Sequence, residues 1–176
     1  QAFRMAGADP SSRPAVAAHC LGARLDFAFM PATSRLSDFA LIAMDMDSTL
    51  ITIECIDELA DFAGRKAEVS AITASAMRGE IDWPQSLRQR VALLAGLDQS
   101  ILQRVYDERL QLSPGAERLI AAARQHHISL LLVSGGFTFF TERLRTRLAI
   151  DHAFSNELEV FDGMLTGRVI GSLCDA

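Results

Sequence analysis

The sequence predicts an α/β fold: a Rossmann-like parallel sheet with a helical segment inserted after its first strand. Two apolar runs, Phe-Ala-Leu-Ile-Ala-Met at 39–44 and Ile-Ser-Leu-Leu-Leu-Val at 128–133, have the length of strands, and the first is continuous enough to be buried on both faces. Each run ends directly in a loop of short side chains, Asp45-Met46-Asp47-Ser48-Thr49 after the first and Ser134-Gly135-Gly136-Phe137 after the second. Between them the hydrophobic pattern turns helical. Two strands joined through a long helical crossover run parallel, because an antiparallel pair needs only a short turn.

Along the chain, residues 1–12 are rich in Gly, Ser, Pro and Ala and read as a lead-in. A helix is expected at 14–24, a short alternating strand at 25–30 and a linker at 31–38, so that 1–37 forms a leader, the remnant of an N-terminal domain. The segment 38–53 opens the core. Helices follow near 54–62, 66–78, 84–94 and 99–110, punctuated by Gly64, Gly79 and Gly96. Pro84 stands where a first helical residue belongs, and Asp98 is placed to cap the fourth helix. These residues, 54–110, are the size of a small helical cap. The core resumes over 111–176: a helix opened by Ser113-Pro114, the second strand, the loop 134–137, a helix at 138–148, and a hairpin of 158–161 and 164–170 turning at Asp162-Gly163, a primed-turn pair.

Composition narrows the function. With 49% apolar and 22% charged residues the 176-residue chain can bury a core. Its net charge of -5 is spread without blocks, which offers no surface for nucleic acid and no basic membrane patch. No apolar run approaches the length of a bilayer span, and the first residues lack a signal-peptide order. Cys20, Cys55 and Cys174 are too scattered for a disulfide framework or a zinc site. The expectation is a cytoplasmic protein acting on a small molecule.

The chemistry should lie at the two loops, since parallel sheets bind ligands outside the carboxyl ends of their strands. An Asp-x-Asp pair alone is a common helix cap. An EF-hand starting at Asp45 is excluded, because Leu50 and Ile56 stand where Gly and Glu would be required. Taken together, however, Asp45-Met46-Asp47-Ser48-Thr49 and Ser134-Gly135-Gly136-Phe137 resemble the first two motifs of the haloacid dehalogenase phosphatases. The match continues through Glu54-Cys55-Ile56-Asp57-Glu58, Ala76-Met77-Arg78-Gly79, Ser86 to Leu94 and Asp162 to Gly167, and these resemble the phosphoserine phosphatase branch of that superfamily.

The resemblance implies magnesium-dependent hydrolysis of O-phosphoserine through an aspartyl-phosphate, the last step of serine biosynthesis. It makes Asp45 the nucleophile and Asp47 the general acid and base, with both at the metal. Thr49, Ser134, Gly135 and Gly136 would orient the phosphoryl oxygens. In the inserted cap, Glu54 would meet the substrate's amino group, Arg90 its carboxylate, and Met77 and Trp83 would form an apolar wall; the family commonly has Phe where Trp83 stands. His126 and His127 read as helix C-terminal residues, and Arg143, Arg145 and Arg147 as an exposed helix face.

The family continues past this point with a lysine and a Gly-rich acidic loop, for which Lys66 and Asp175 are no substitutes. The final core strands are therefore expected to be missing, leaving strand 39–44 as an open edge through which the chain could self-associate. Two alternatives stand beside the phosphatase: a noncatalytic fragment or binding module, and a phosphatase or phosphotransferase for a related metabolite such as phosphohomoserine.

Overall fold

Two units divide the chain, Gln1–Phe39 and Ala40–Ala176. The computed structural model describes residues 3–174, so Asp175 lies outside the described residues. In the first unit, helix α1 (Arg13–Ala23) is entered through a single 3-10 turn, where Asp9 accepts hydrogen bonds from the Ser11 amide at 2.9 Å and from the Ser11 hydroxyl. Arg24, at φ 54°, closes the helix with bonds to the Cys20 and Leu21 carbonyls. The strand expected at 25–30 does not form. Its alternating pattern meets no partner strand among the described residues, and an unpaired strand leaves its backbone to water.

The second unit is organised by one sheet of β1 (Leu41–Met44), β2 (Ser129–Phe137), β3 (His152–Phe161) and β4 (Met164–Ile170), in that spatial order. The first three strands run parallel and β4 returns antiparallel to β3. The turn at Asp162 and Gly163 has φ 49° and 76°, the positive pair of a type I′ hairpin. In the β1–β2 register Met44 lies opposite Leu132. Asp45 therefore emerges beside the far end of β2.

Three expectations change here. Strand β1 is not buried on both faces: Leu41 and Ala43 are exposed, because among the described residues β1 is the sheet's edge. Residues 134–137 are not a loop but the last part of β2, whose pairing with β3 shifts register between Val133 and Phe137. Strand β3 begins well before residue 158, because its first half pairs with β2 and only its second half belongs to the hairpin.

The inserted segment carries α2 (Cys55–Phe62), α3 (Lys66–Met77), α4 (Trp83–Ala92) and α5 (Ser100–Glu108). Its two ends leave the core side by side. The Thr52 amide donates to the Gln111 carbonyl and the Ser113 amide to the Leu50 carbonyl, both at 2.9 Å. Pro84 falls at the second helical position, one later than expected, because Asp82 caps α4 by accepting from the Gln85 amide at 2.7 Å. Asp98 accepts from the Ser100 amide at 2.8 Å at the start of α5. Apolar positions four apart, Leu87 with Val91 and Ile101 with Val105, turn inward, as the helical period requires.

Helices α6 (Ala116–Gln125) and α7 (Thr138–Leu148) complete the core. Phe140, Leu144 and Leu148 form the buried stripe of α7, and Leu130 and Leu132 of β2 are fully buried. Each such side chain contributes about 1.5–3 kcal/mol on leaving water. The hairpin also meets the inserted segment: the Gly96 amide donates to the Leu165 carbonyl and the Leu165 amide to the Leu97 carbonyl, both at 2.8 Å.

Candidate active site

Beyond β1 the chain turns sharply over Met46–Leu50, a turn whose interior departs from helical geometry at Asp47 and Ser48. Asp45 starts the turn, its carboxylate accepting from the Met46 amide at 2.7 Å. Asp47 points inward, and its Oδ1 accepts from the Cys55 amide at 3.1 Å. Burial raises the Asp47 pKa from 3.8 to about 6, opposed by the hydrogen bonds from Cys55 and assisted by the charges of Glu54 and Asp45. The proximity of the two aspartates is thus the lesser cause; loss of water is the main one.

The end of β2 comes close to this turn. A Cβ on Gly136 would stand 2.7 Å from Asp47 Oδ2 and 2.8 Å from Met46 Cε, and one on Gly135 would stand 2.8 Å from the Trp83 ring. Glycine is needed at both places for space. Ser134 is buried, and its Oγ accepts from the Gly136 amide at 2.9 Å, which leaves the hydroxyl proton to give. That bond also engages the Gly136 amide, which sequence reasoning had assigned to a phosphate oxygen. The Gly135 carbonyl accepts from Asn156 Nδ2 at 2.9 Å, and buried Asn156 also accepts from the Cys174 amide at 2.8 Å.

Asp45, Asp47, Glu54, Trp83, Arg90, Ser134, Gly135 and Gly136 line one cavity of about 310 Å³, together with Ile56, Leu87 and Phe137. Arg90 is half-buried. Burial lowers its pKa and the charges of Asp57, Glu54 and Asp47 raise it, while its Nε donates to the Ser86 carbonyl at 3.3 Å. A guanidinium stays charged under such pulls. Two expected members stand apart: Thr49 is exposed and off the cavity wall, and Met77 is 84% exposed at the end of α3. Helix α3 has only Val69 buried, so its last turn is not drawn inward.

Sequence reasoning missed Cys55 and Asn156. Burial pushes the Cys55 thiol far up, with Asp47 close by, so it stays protonated. Neither residue type carries a motif on its own, and their roles come from tertiary placement.

A larger cavity of about 530 Å³ lies elsewhere, between the starts of α5 and α7 and strand β3. Arg143, expected on an exposed face, lines it half-buried, its guanidinium 3.4 Å from the Phe139 ring centre and donating to the Phe139 carbonyl at 3.0 Å. Asp98, expected to cap α5, is on the same wall; Gln99 stands at the cap position, and Asp98, one residue earlier, accepts from the Ser100 amide. The carboxylate pair is in the smaller cavity, and we place the chemistry there.

Residues 42–176 match the model of the haloacid dehalogenase-like hydrolases, which is most of the chain. The chain belongs to the haloacid dehalogenase-like hydrolase family. Among members of this family, it is 60% identical over 146 residues to a phosphoserine phosphatase of Polaromonas sp. strain JS666, a match covering 80% of this chain and 62% of that relative. Less than two thirds of that relative's length is therefore spanned. A solved structure described as a phospho-aspartyl intermediate analogue of phosphoserine phosphatase is 40% identical, with a TM-score of 0.69 over 74% of this chain and 62% of the other. A probable phosphoserine phosphatase from Vibrio cholerae is 39% identical, with a TM-score of 0.75 over 94% of this chain and 51% of the other. The parallel sheet with its helical insertion is thus a haloacid dehalogenase-like fold. No helix among the described residues is long and apolar enough to cross a membrane.

Proposed function

We propose that this chain carries the nucleophile and the substrate-reading residues of a phosphoserine phosphatase. The supporting observation is the lining of one cavity: Asp45, Asp47 and Ser134 come from the ends of β1 and β2, Glu54 from the entry of α2 and Arg90 from α4. The first three suit a phosphoryl group, and Glu54 with Arg90 suits a zwitterionic head, because a guanidinium can hold a carboxylate bidentately and a carboxylate can accept from an ammonium. The solved phospho-aspartyl analogue of a related phosphatase supports the same assignment.

In this reading an oxygen of Asp45 attacks phosphorus, the bond from phosphorus to the serine oxygen breaks, and Asp47 gives that oxygen a proton. Water then attacks phosphorus, the bond from phosphorus to the Asp45 oxygen breaks to release phosphate and restore the carboxylate, and Asp47 takes a proton back from the water. A pKa near 6 suits both duties at neutral pH. The Ser134 hydroxyl orients a phosphoryl oxygen without adding charge.

The donor set fits a hard cation. Two aspartates on one turn offer oxygen ligands, and the neighbouring Cys55 thiol is held neutral. A magnesium ion would be held by Asp45 and Asp47. A carboxylate facing one unit of phosphate charge at about 4 Å costs roughly 4 kcal/mol at an effective dielectric near 20, and bound magnesium would supply the offsetting charge.

By extension, residues 54–110 act as the specificity cap, 38–53 and 111–176 as the phosphoryl-transfer core, and 1–37 as the remnant of a preceding domain, in an enzyme supplying serine in the cytoplasm.

Two variants of the full-length protein test the reading. Asp45→Asn should abolish phosphate release from phosphoserine, since an amide keeps the shape without the anion; turnover near the wild-type rate would sink it. Arg90→Ala should weaken phosphoserine at least tenfold more than phosphoethanolamine, which lacks only the carboxylate, and equal losses on both would remove the substrate assignment.

A further inference from the structure

We infer that Ser48 is a positioning residue for recognition of the substrate's amino group, acting through Glu54; this rests on the phosphoserine reading above. Ser48 sits between Asp47 and Thr49 with φ 52° and ψ 12°, the left-handed region that a residue with a Cβ rarely occupies. It is held there from both sides. Its amide donates to the Ile53 carbonyl at 3.0 Å, and its hydroxyl donates to Glu54 Oε1 at 2.5 Å. The backbone conformation and the side-chain bond together tie the turn bearing Asp45 and Asp47 to the entry of α2, where Glu54 stands.

Glu54 needs such a tie. It is an exposed side chain with several free torsions, and two other carboxylates, Asp45 and Asp47, line the same cavity and repel it. A neutral donor can hold it in place, whereas a lysine or arginine there would compete with the substrate's ammonium for the same oxygens. With Oε1 engaged by Ser48, Oε2 receives no hydrogen bond from the described residues and is left to accept from the ammonium. Ser48 thereby ties Glu54 to the turn bearing Asp45 and Asp47 through a single residue that does not itself line the cavity.

The test uses the full-length protein and two substrates, O-phosphoserine and 3-phosphooxypropanoate, which keeps the carboxylate and phosphate and lacks only the amine. The wild type should prefer phosphoserine. Ser48→Ala and Ser48→Gly should each cut that preference in kcat/KM about tenfold, with the change mainly in KM, as loss of a charge-assisted hydrogen bond implies. Glycine accepts the left-handed backbone, so equal behaviour of the two variants assigns the effect to the hydroxyl. In a Glu54→Ala background, Ser48→Ala should leave the substrate ratio where Glu54→Ala put it. Parallel losses on both substrates, or a further shift in the Glu54→Ala background, would overturn the role of Ser48 while leaving the substrate reading intact. A wild type with no preference for the amine would overturn both.

Discussion

Asp47 has traded water for one amide hydrogen bond from Cys55 and a place beside Gly136, and the cost of that exchange is carried by its ionised form. The pH dependence follows from the direction of the shift. A carboxyl whose pKa rises from 3.8 unfolded to about 6 folded binds its proton more tightly in the native state. Its contribution is most favourable below about pH 4, declines as pH rises through 6, and stays low above. Asp47→Asn keeps the acceptor for the Cys55 amide and removes the charge. In a metal-free solution the variant should therefore gain roughly 2–3 kcal/mol over wild type at pH 7.5, a shift of about two pKa units at 1.36 kcal/mol each, and almost nothing at pH 4. Denaturant melts at the two pH values decide it; a variant less stable at pH 7.5 would contradict the assigned cause. The residue types of this site were legible because Asp45, Asp47 and Ser134 follow strands directly, and Glu54 and Arg90 lie in extended motif matches. The state of Asp47 was only half legible. A sequence shows that two aspartates are close, but not that Cys55 and Gly136 exclude water from one of them.

At the scale of elements, helices with a strong apolar period, such as α2 and α5, sit within a residue or two of their expected bounds. The failures share one cause. Residues 25–30 alternate like a strand but have no partner among the described residues, while 134–137 look like a turn yet extend β2, since strand existence depends on neighbours remote in sequence. Met77 stands off the cavity for a related reason: helix α3 turns only Val69 inward. The junction between the hairpin and the inserted helices offers a sharper test. Gly167, at φ 78°, lies so close to α4 that a Cβ would stand 2.8 Å from Ala95 Cβ and 3.2 Å from the Ala92 backbone. Gly167→Ala should cost about 2–4 kcal/mol, from overpacking and a left-handed backbone together. Gly163→Ala, with open space around it, should cost about 1 kcal/mol, the backbone part alone. Thermal melts of both variants should separate them by several degrees, and equal melting temperatures would mean that the hairpin moves freely away from α4.

For the molecule as a whole, the order β1-β2-β3-β4 puts the strand that ends at Asp45 at the outside of the sheet described here. The parallel pairing of β1 and β2 was foreseeable from the long helical crossover between two apolar runs. The double duty of β3 was not, because its two halves answer to different neighbours. An edge strand of Leu-Ile-Ala-Met, with Leu41 49% exposed and no charge or proline within it, lacks the devices by which sheets discourage pairing with other chains. A polypeptide of residues 1–176 should therefore associate through β1 at micromolar concentration. Placing a lysine there, Leu41→Lys, should restore the monomer, since a desolvated charge opposes strand addition. Because Leu41 already faces water, the same change should move the unfolding midpoint little. Light scattering across a dilution series measures the first effect and a thermal melt the second. If Leu41→Lys leaves the association unchanged, the contact lies on another surface, and the exposed Phe161 on the hairpin becomes the next position to substitute.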